Sequence, residues 1–238
     1  MKTLVLYVFH EYNARVDTFF KTAIFEDPSV DFLVICNSLT SAFEVPSYVR
    51  VIKRENIGYD FGGWSEGVLQ SNPYDYYIFL NSSVSGPFLP PYYTDRWTSM
   101  YLNGLKDGVK LFGSTINTMY DPYNMSHVQS YAFAMDRETL EYLIEHEIFS
   151  ITNYAKTWTD AIWKKEILMS RMIIQKGWNI GCLLSCYSGV DFTFKTPCSV
   201  TTWHDDIMFA GFENKMWSRY ELVFIKGNRV TDDINSSK

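Results

Sequence analysis

Residues 54–87, RENIGYDFGGWSEGVLQSNPYDYYIFLNSSVSGP, limit most strongly what this chain can fold into. An extended apolar run over 48–53 ends in Asn56-Ile57-Gly58-Tyr59-Asp60-Phe61-Gly62-Gly63-Trp64, where polar residues and glycines crowd a strand-to-helix turn. Such a turn exposes backbone N–H groups. The pattern predicts a helix over 60–70, a break at Asn72-Pro73 and a short buried strand over 76–80 that stops at Asn81-Ser82-Ser83. In an open α/β sheet the crevice beyond the carboxyl ends of the strands is where ligands bind, so the clusters at 56–60 and 81–83 face one cleft. Each cluster taken alone reads more readily as an ordinary loop, because Gly, Asn and Ser are common turn residues. Their order along the chain is what points to a site.

The same alternation runs through the rest of the chain. Residues 4–12 read as a strand, 14–25 as a helix closed by Asp27-Pro28, and 31–37 as a second strand. These strands end in His10-Glu11-Tyr12-Asn13 and Asn37-Ser38, the places where a doubly wound sheet grips a base and ribose. A helix over 95–104 follows the prolines at 87, 90 and 91, then strands over 110–116 and 127–135. Asp136 is placed to cap the helix that runs to 149. The longest helical pattern, 158–176, ends at Gly177 and carries Glu166 at the edge of an apolar stripe of Ile162, Ile167, Leu168, Met172 and Ile173. A strand over 178–184 and the polar cluster Trp203-His204-Asp205-Asp206 complete the pattern. The expected architecture is α/β, a mixed, mostly parallel central sheet with helices on both faces. It forms one domain over 1–230, and the polar residues 231–238 read as a tail or linker.

Composition narrows the function. A chain of 238 residues, 47% hydrophobic, can bury a sizeable core, and its 17% aromatic content supplies ring faces suited to sugars as well as to packing. The net charge of −6 without a basic run argues against nucleic acid and anionic membranes as partners. No GxGxxG follows the first strand and no GxxxxGK[ST] is present, which disfavours dinucleotide and P-loop folds. Cys36, Cys182, Cys186 and Cys198 form no CxxC pair and read as buried free thiols of a reducing compartment. No stretch has membrane-spanning length or the form of a signal peptide, so a cytoplasmic location is expected and the N-x-S sequons at Asn81, Asn124 and Asn235 carry no weight.

On the segment Asn56-Ile57-Gly58-Tyr59-Asp60-Phe61-Gly62-Gly63-Trp64, the chain from about residue 4 to 189 resembles nucleotide-sugar glycosyltransferases of the GT-A fold. The likeness is to rhamnan-synthesis-F-like and virus-encoded members with an N-I-G-x-D-F-G-x-W segment; a virus-encoded member would act in the host cytoplasm. The resemblance implies transfer of a hexose from a UDP- or dTDP-linked sugar, glucose or rhamnose, to a glycan or glycoprotein acceptor. It also implies a D-x-D motif that touches the ribose and holds a divalent metal. Here that place reads Asn81-Ser82-Ser83, and neutral side chains replace carboxylates poorly around a hard cation. Any Mn²⁺ or Mg²⁺ is therefore expected to be held mainly by the donor diphosphate, with Ser83, His204 and Asp205 as the protein contacts.

With the strand-end residues, the expected donor-binding set is His10, Asn13, Asn37, Arg54, Asn56, Gly58, Tyr59, Asp60, Gly63, Trp64, Asn81, Ser82 and Ser83. Arg54, His204 and the N–H groups around Gly58 and the start of the following helix would meet phosphate charge. Asn37 and Asn81 would hold uracil or ribose, and Asp60 would accept from sugar hydroxyls. Glu166, followed by Arg171, Lys176, Gly177 and Trp178, fits the family's acidic residue that acts as base toward the acceptor, with Asp160 as the alternative. Read without the resemblance, Glu166 is equally a surface glutamate paired along its helix. An inverting course is favoured; a retaining one would leave the proton to the leaving group. A catalytically inactive sugar- or nucleotide-sugar-binding domain stays open because of the altered D-x-D, whereas a nucleotidyltransferase would need a glycine-rich basic loop that the chain lacks.

Overall fold

The computed structural model describes residues 1–118, 125–193, 195, 206–208 and 217–229. Strand β1, Thr3–Phe9, is buried at every position, the mark of a strand covered on both faces. It lies inside a seven-stranded sheet with β2 (Val30–Cys36), β3 (Arg50–Lys53), β4 (Tyr76–Asn81), β6 (Val109–Gly113), β9 (Ala132–Asp136) and β10 (Asn179–Cys182). Two short strands fall between these in the chain, β5 (Val84–Ser85) and β7 (Ile116–Asn117), and β8 (His127–Val128) precedes β9.

The sheet order is β10-β6-β9-β4-β1-β2-β3. Strand β1 pairs in parallel with both β2 and β4, whereas β9 runs antiparallel to β4 and β6. The chain therefore builds outward from β1 through β2 to β3, then returns to lay β4 on the other side of β1. A reversal of this kind opens a crevice at the strands' carboxyl ends, between Phe9, Cys36 and Asn81. The mixed, mostly parallel sheet expected from the sequence is what the chain forms.

Helices cover both faces. Helix α1 (Ala14–Thr22) stacks Phe19 on Tyr7 with ring centroids 3.8 Å apart, while α2 (Tyr59–Leu69) lies against the opposite face, where Val8 points. Two glycines let α2 approach: a Cβ on Gly63 would sit 2.7 Å from Val8 Cγ2, and one on Gly67 would sit 2.7 Å from Ile35 Cδ1. Trp64 is wholly buried between them, edge-on to Phe61, Phe79 and Phe133, with Nε1 donating to Leu80 O at 3.3 Å. Helices α3 (Trp97–Leu102) and α4 (Arg137–Glu145) follow, the latter capped by Asp136, which accepts from Thr139 N at 2.9 Å.

The long helix expected over 158–176 is three pieces: α5 (Trp158–Ala161), a π-helical turn at Ile162–Ile167, and α6 (Leu168–Gln175). Gly177, at φ +87°, ends it as expected. The strand expected over 127–135 is likewise two, because residues 129–131 leave the ladder between β8 and β9. A last helix, α7 (Arg219–Leu222), leads into β11 (Ile225–Lys226), which pairs antiparallel with β5. Cys36 and Cys182 are buried at strand ends; Cys186, expected buried, is exposed on a 3₁₀ turn, and Cys198 lies outside the described residues. So do residues 231–238.

Gly63→Ala separates packing from helix propensity. In an exposed helix interior the change gains about 1 kcal/mol, but here the methyl group overlaps Val8 and crowds Asn37, so a loss of about 1–3 kcal/mol is expected in urea denaturation. A stabilised variant would mean that α2 is not held at this distance.

Candidate functional site

The carboxyl ends of β1, β2 and β4 open into a cleft of about 720 Å³. Its floor is the first turn of α2, which presents Tyr59, Asp60 and Phe61, together with Asn81 and Ser83 after β4. Tyr59 enters this turn at φ +57°, a left-handed conformation that non-glycine residues seldom adopt and that clusters at functional sites. Its sides are Ser130, Tyr131, Trp158, Trp163 and Glu166. Lys226 and Arg229 close the cleft from the C-terminal segment, and His10, Asn37, Asn56, His127 and Asp206 are among its other polar lining residues.

Glu166 is held in place rather than free on a helix surface. Its Oε2 accepts from Ser130 N at 2.7 Å and from the Ser130 hydroxyl, and its Oε1 lies 3.8 Å from His127 Nε2. His127, 5% exposed, donates Nδ1–H to Met125 O at 2.8 Å, so Nε2 is the nitrogen turned toward Glu166. Three hydrogen bonds set the wall that carries these groups. Lys165, on the π-helical turn, donates to Glu147 O and Asn153 O at 2.6 and 2.8 Å, and Ser170 Oγ accepts from Val128 N at 3.0 Å. A π-helical turn in an otherwise regular helix is a frequent companion of functional sites.

Asp60 faces the same space. Its Oδ2 accepts from Asn81 Nδ2 at 2.9 Å. Part of the side chain opens to the cleft, but protein surrounds the rest, and this desolvation pushes its pKa up to about 6. The Asn81 hydrogen bond opposes that rise, the Glu166 carboxylate adds to it and Lys226 opposes it. Desolvation in turn pushes the Lys226 pKa down, against the pull of Glu166 and Asp60.

A family model of rhamnan synthesis protein F matches residues 32–222. The chain belongs to the rhamnan synthesis protein F family. This is a glycosyltransferase-associated family, and the matched span contains Asp60, Asn81, Ser130 and Glu166. His10, Lys226 and Arg229 lie outside it. No curated protein matches the chain.

Of the residues expected at the donor from the strand ends and from the family likeness, His10, Asn37, Asn56, Tyr59, Asp60, Asn81 and Ser83 line the cleft, as does Glu166. Others are placed elsewhere. Asn13 caps α1, accepting from Arg15 N and Val16 N. Arg54 is 6% exposed beneath the floor, where it donates to Asn37 Oδ1 at 2.7 Å and Ile57 O at 2.8 Å; its Nε pairs with Glu66 Oε1 at 2.8 Å. It is a structural cation, not one offered to phosphate. Gly58 lies under the Tyr154 ring, and Gly63 and Trp64 belong to the packing of α2 on the sheet. Ser82 gives its carbonyl to Arg15 Nε. Asn37 reaches the cleft with its amide already spent on Arg54 and Tyr59 O. Asp160 is outside the lining and pairs with Lys164 at 2.8 Å, which holds its carboxyl below the usual range and makes it a weak base. Sequence reasoning missed Lys226, His127 and Ser130, which share no motif: His127 and Ser130 lie at and just after β8, and Lys226 lies almost a hundred residues further on.

The expected divalent cation meets a poor donor set. Hard cations take several oxygens, carboxylates above all. Beside Asn81 stand one carboxylate, Asp60, already accepting from Asn81, and the Ser83 hydroxyl, which donates to Asn81 Oδ1 at 2.5 Å. Among the described residues no three His, Cys, Asp or Glu gather to hold an ion, and the other expected contacts, His204 and Asp205, lie outside those residues. These residues do not fit a metal centre built by the protein.

The raised pKa of Asp60 has a consequence for stability. Between the ordinary value of 3.8 and about 6, the folded chain keeps a proton that the unfolded chain releases, so stability falls as pH rises through that window. Asp60→Asn removes the titration. Its Tm is expected to exceed that of the wild type at about pH 7.5 and to match it at about pH 3.5, below both values. A difference in Tm that did not change with pH, in scanning calorimetry, would place Asp60 in a solvated setting.

Proposed function

We propose that this chain is a glycosyltransferase that moves a sugar from a nucleoside-diphosphate sugar, UDP- or dTDP-linked, to a glycan acceptor. The family description, rhamnan synthesis, makes a rhamnose donor the first candidate, with glucose second. The observation that carries the reading is Glu166: a carboxylate oriented by two Ser130 donors, on the wall of a cleft at the sheet's switch point. Its neighbours Trp158 and Trp163 are 66% and 52% exposed, and indole faces left open at a cleft rim suit the apolar face of a sugar ring.

In this reading an acceptor hydroxyl lies between Glu166 and the anomeric carbon of the donor. As the new carbon–oxygen bond forms, Glu166 takes the hydroxyl proton and the bond to the diphosphate oxygen breaks, which inverts the anomeric centre. Oε2 is anchored by Ser130, so Oε1, the freer oxygen, receives the proton, and His127 Nε2 stands behind it. Asp60 meets sugar hydroxyls from the floor. A divalent cation carried in by the donor diphosphate is compatible with this course but is given no step in it.

Glu166→Gln tests the assignment. Turnover, followed as nucleoside diphosphate released from UDP-glucose or dTDP-rhamnose in the presence of a glycan acceptor, is expected to drop about a hundred- to ten-thousandfold, with donor affinity nearly unchanged. Wild-type turnover in the variant would remove Glu166 as the base. A wild-type protein that binds donors but turns none over would favour the inactive binding domain, to which Asn81-Ser82-Ser83 lends support.

A further inference from the structure

The charges that line the cleft do not balance in favour of a diphosphate. Asp60, Glu166 and Asp206 stand against Lys226 and Arg229, and Arg229 is spent on an ion pair with Asp206. Arg54 is committed below the floor. A nucleoside diphosphate entering between Asp60 and Glu166 adds negative charge, and stabilising the departing diphosphate is the main electrostatic task of the transfer. Asn81-Ser82-Ser83 supplies no carboxylate pair to bring a cation in.

We propose that the Lys226 ammonium receives the donor diphosphate and supplies the positive charge that a protein-held metal would otherwise bring. This rests on the nucleotide-sugar reading above. Lys226 lies beyond the residues that the family model matches. Its backbone is fixed beside the altered motif: Lys226 stands opposite Val84 in the β5–β11 pair, and Gly227 N donates to Ser83 O at 2.8 Å. The side chain passes over the Tyr131 ring, with Nζ 5.6 Å from the centroid, and lines the cleft. Among the described residues it takes part in no ion pair, although Asp60 and Glu166 both act on it through space. An ammonium held this way, partly stripped of water and short of direct partners, offers its donors to an incoming anion.

Calorimetric titration of the full chain with UDP, dTDP, uridine and thymidine, each in EDTA and in MgCl₂, tests this with wild type, Lys226→Met and Lys226→Arg. Wild type is expected to bind a diphosphate in EDTA. Lys226→Met should weaken that diphosphate about ten- to hundredfold while leaving the nucleoside unchanged, and Lys226→Arg should restore most of the loss. Diphosphate affinity that collapses in EDTA and ignores Lys226→Met would assign the charge to a metal ion and overturn the proposal alone. So would a Lys226→Met protein with lowered Tm and unchanged diphosphate affinity, since Lys226 would then be only a counter-ion for the two carboxylates. Wild type that binds none of the four ligands would overturn the donor-site reading together with it. The EDTA comparison needs only wild-type protein, so a variant that fails to fold does not shield the proposal.

Discussion

A buried guanidinium holds the floor of the cleft. Arg54 leaves β3 at the sheet edge and turns under the start of α2, where one amino group meets Asn37, the other meets the Ile57 carbonyl, and Nε faces Glu66. Glu66 Oε1 also accepts from Tyr154, whose ring covers both Gly58 and the guanidinium. Stripping such a cation of water is costly unless every donor finds an acceptor, and removing one partner of a pair like this typically costs about 3–5 kcal/mol. The end of β2, the turn at 55–58 and the second turn of α2 are thus tied to one charge. The left-handed backbone at Gly58 and Tyr59, which aims Asp60 into the cleft, is held by that network.

The charged lining of the cleft is assembled by different means. Three side chains that face the same space, Asp60, Glu166 and Lys226, belong to α2, the π-helical turn and β11, and each is oriented by a partner from another segment. Glu166 is aimed by Ser130, which lies where the ladder breaks between β8 and β9. Lys226 is aimed by a two-residue ribbon pinned to Ser83. Burial then couples the three: it makes Asp60 reluctant to ionise and lowers the Lys226 pKa, and the charge of Glu166 adds to the first effect and offsets the second. An incoming anion would change all of them at once.

The parts of this arrangement that could be read from the chain are those whose physics is local. Seven buried β-formers in a row announce β1, Asp136 announces its helix, Gly177 ends another, and the polar residues at the ends of successive strands mark the side of the sheet on which a ligand would sit. Asp60, Asn81 and Glu166 were legible because they follow such boundaries or sit at the edge of an apolar stripe. The roles of Arg54, Asn13, Gly63 and Trp64 were not. A cation, a cap, a small residue and an indole look the same in sequence whether they face a ligand or the core, and only packing tells them apart.

What the sequence by itself determined was the alternation of strands and helices, the class of sheet and the edge along which its polar residues collect, because backbone propensity and hydrophobic period act over a few residues. The tertiary structure alone decided that β9 enters the sheet antiparallel, that the long helix widens into a π-helical turn, and that Ser130, His127 and Lys226 converge on two carboxylates. Those outcomes depend on contacts between segments far apart in the chain, such as Ser130 with Glu166 and Ser83 with Gly227. No local pattern encodes them, since each is settled by which arrangement buries apolar surface while keeping most buried polar groups paired.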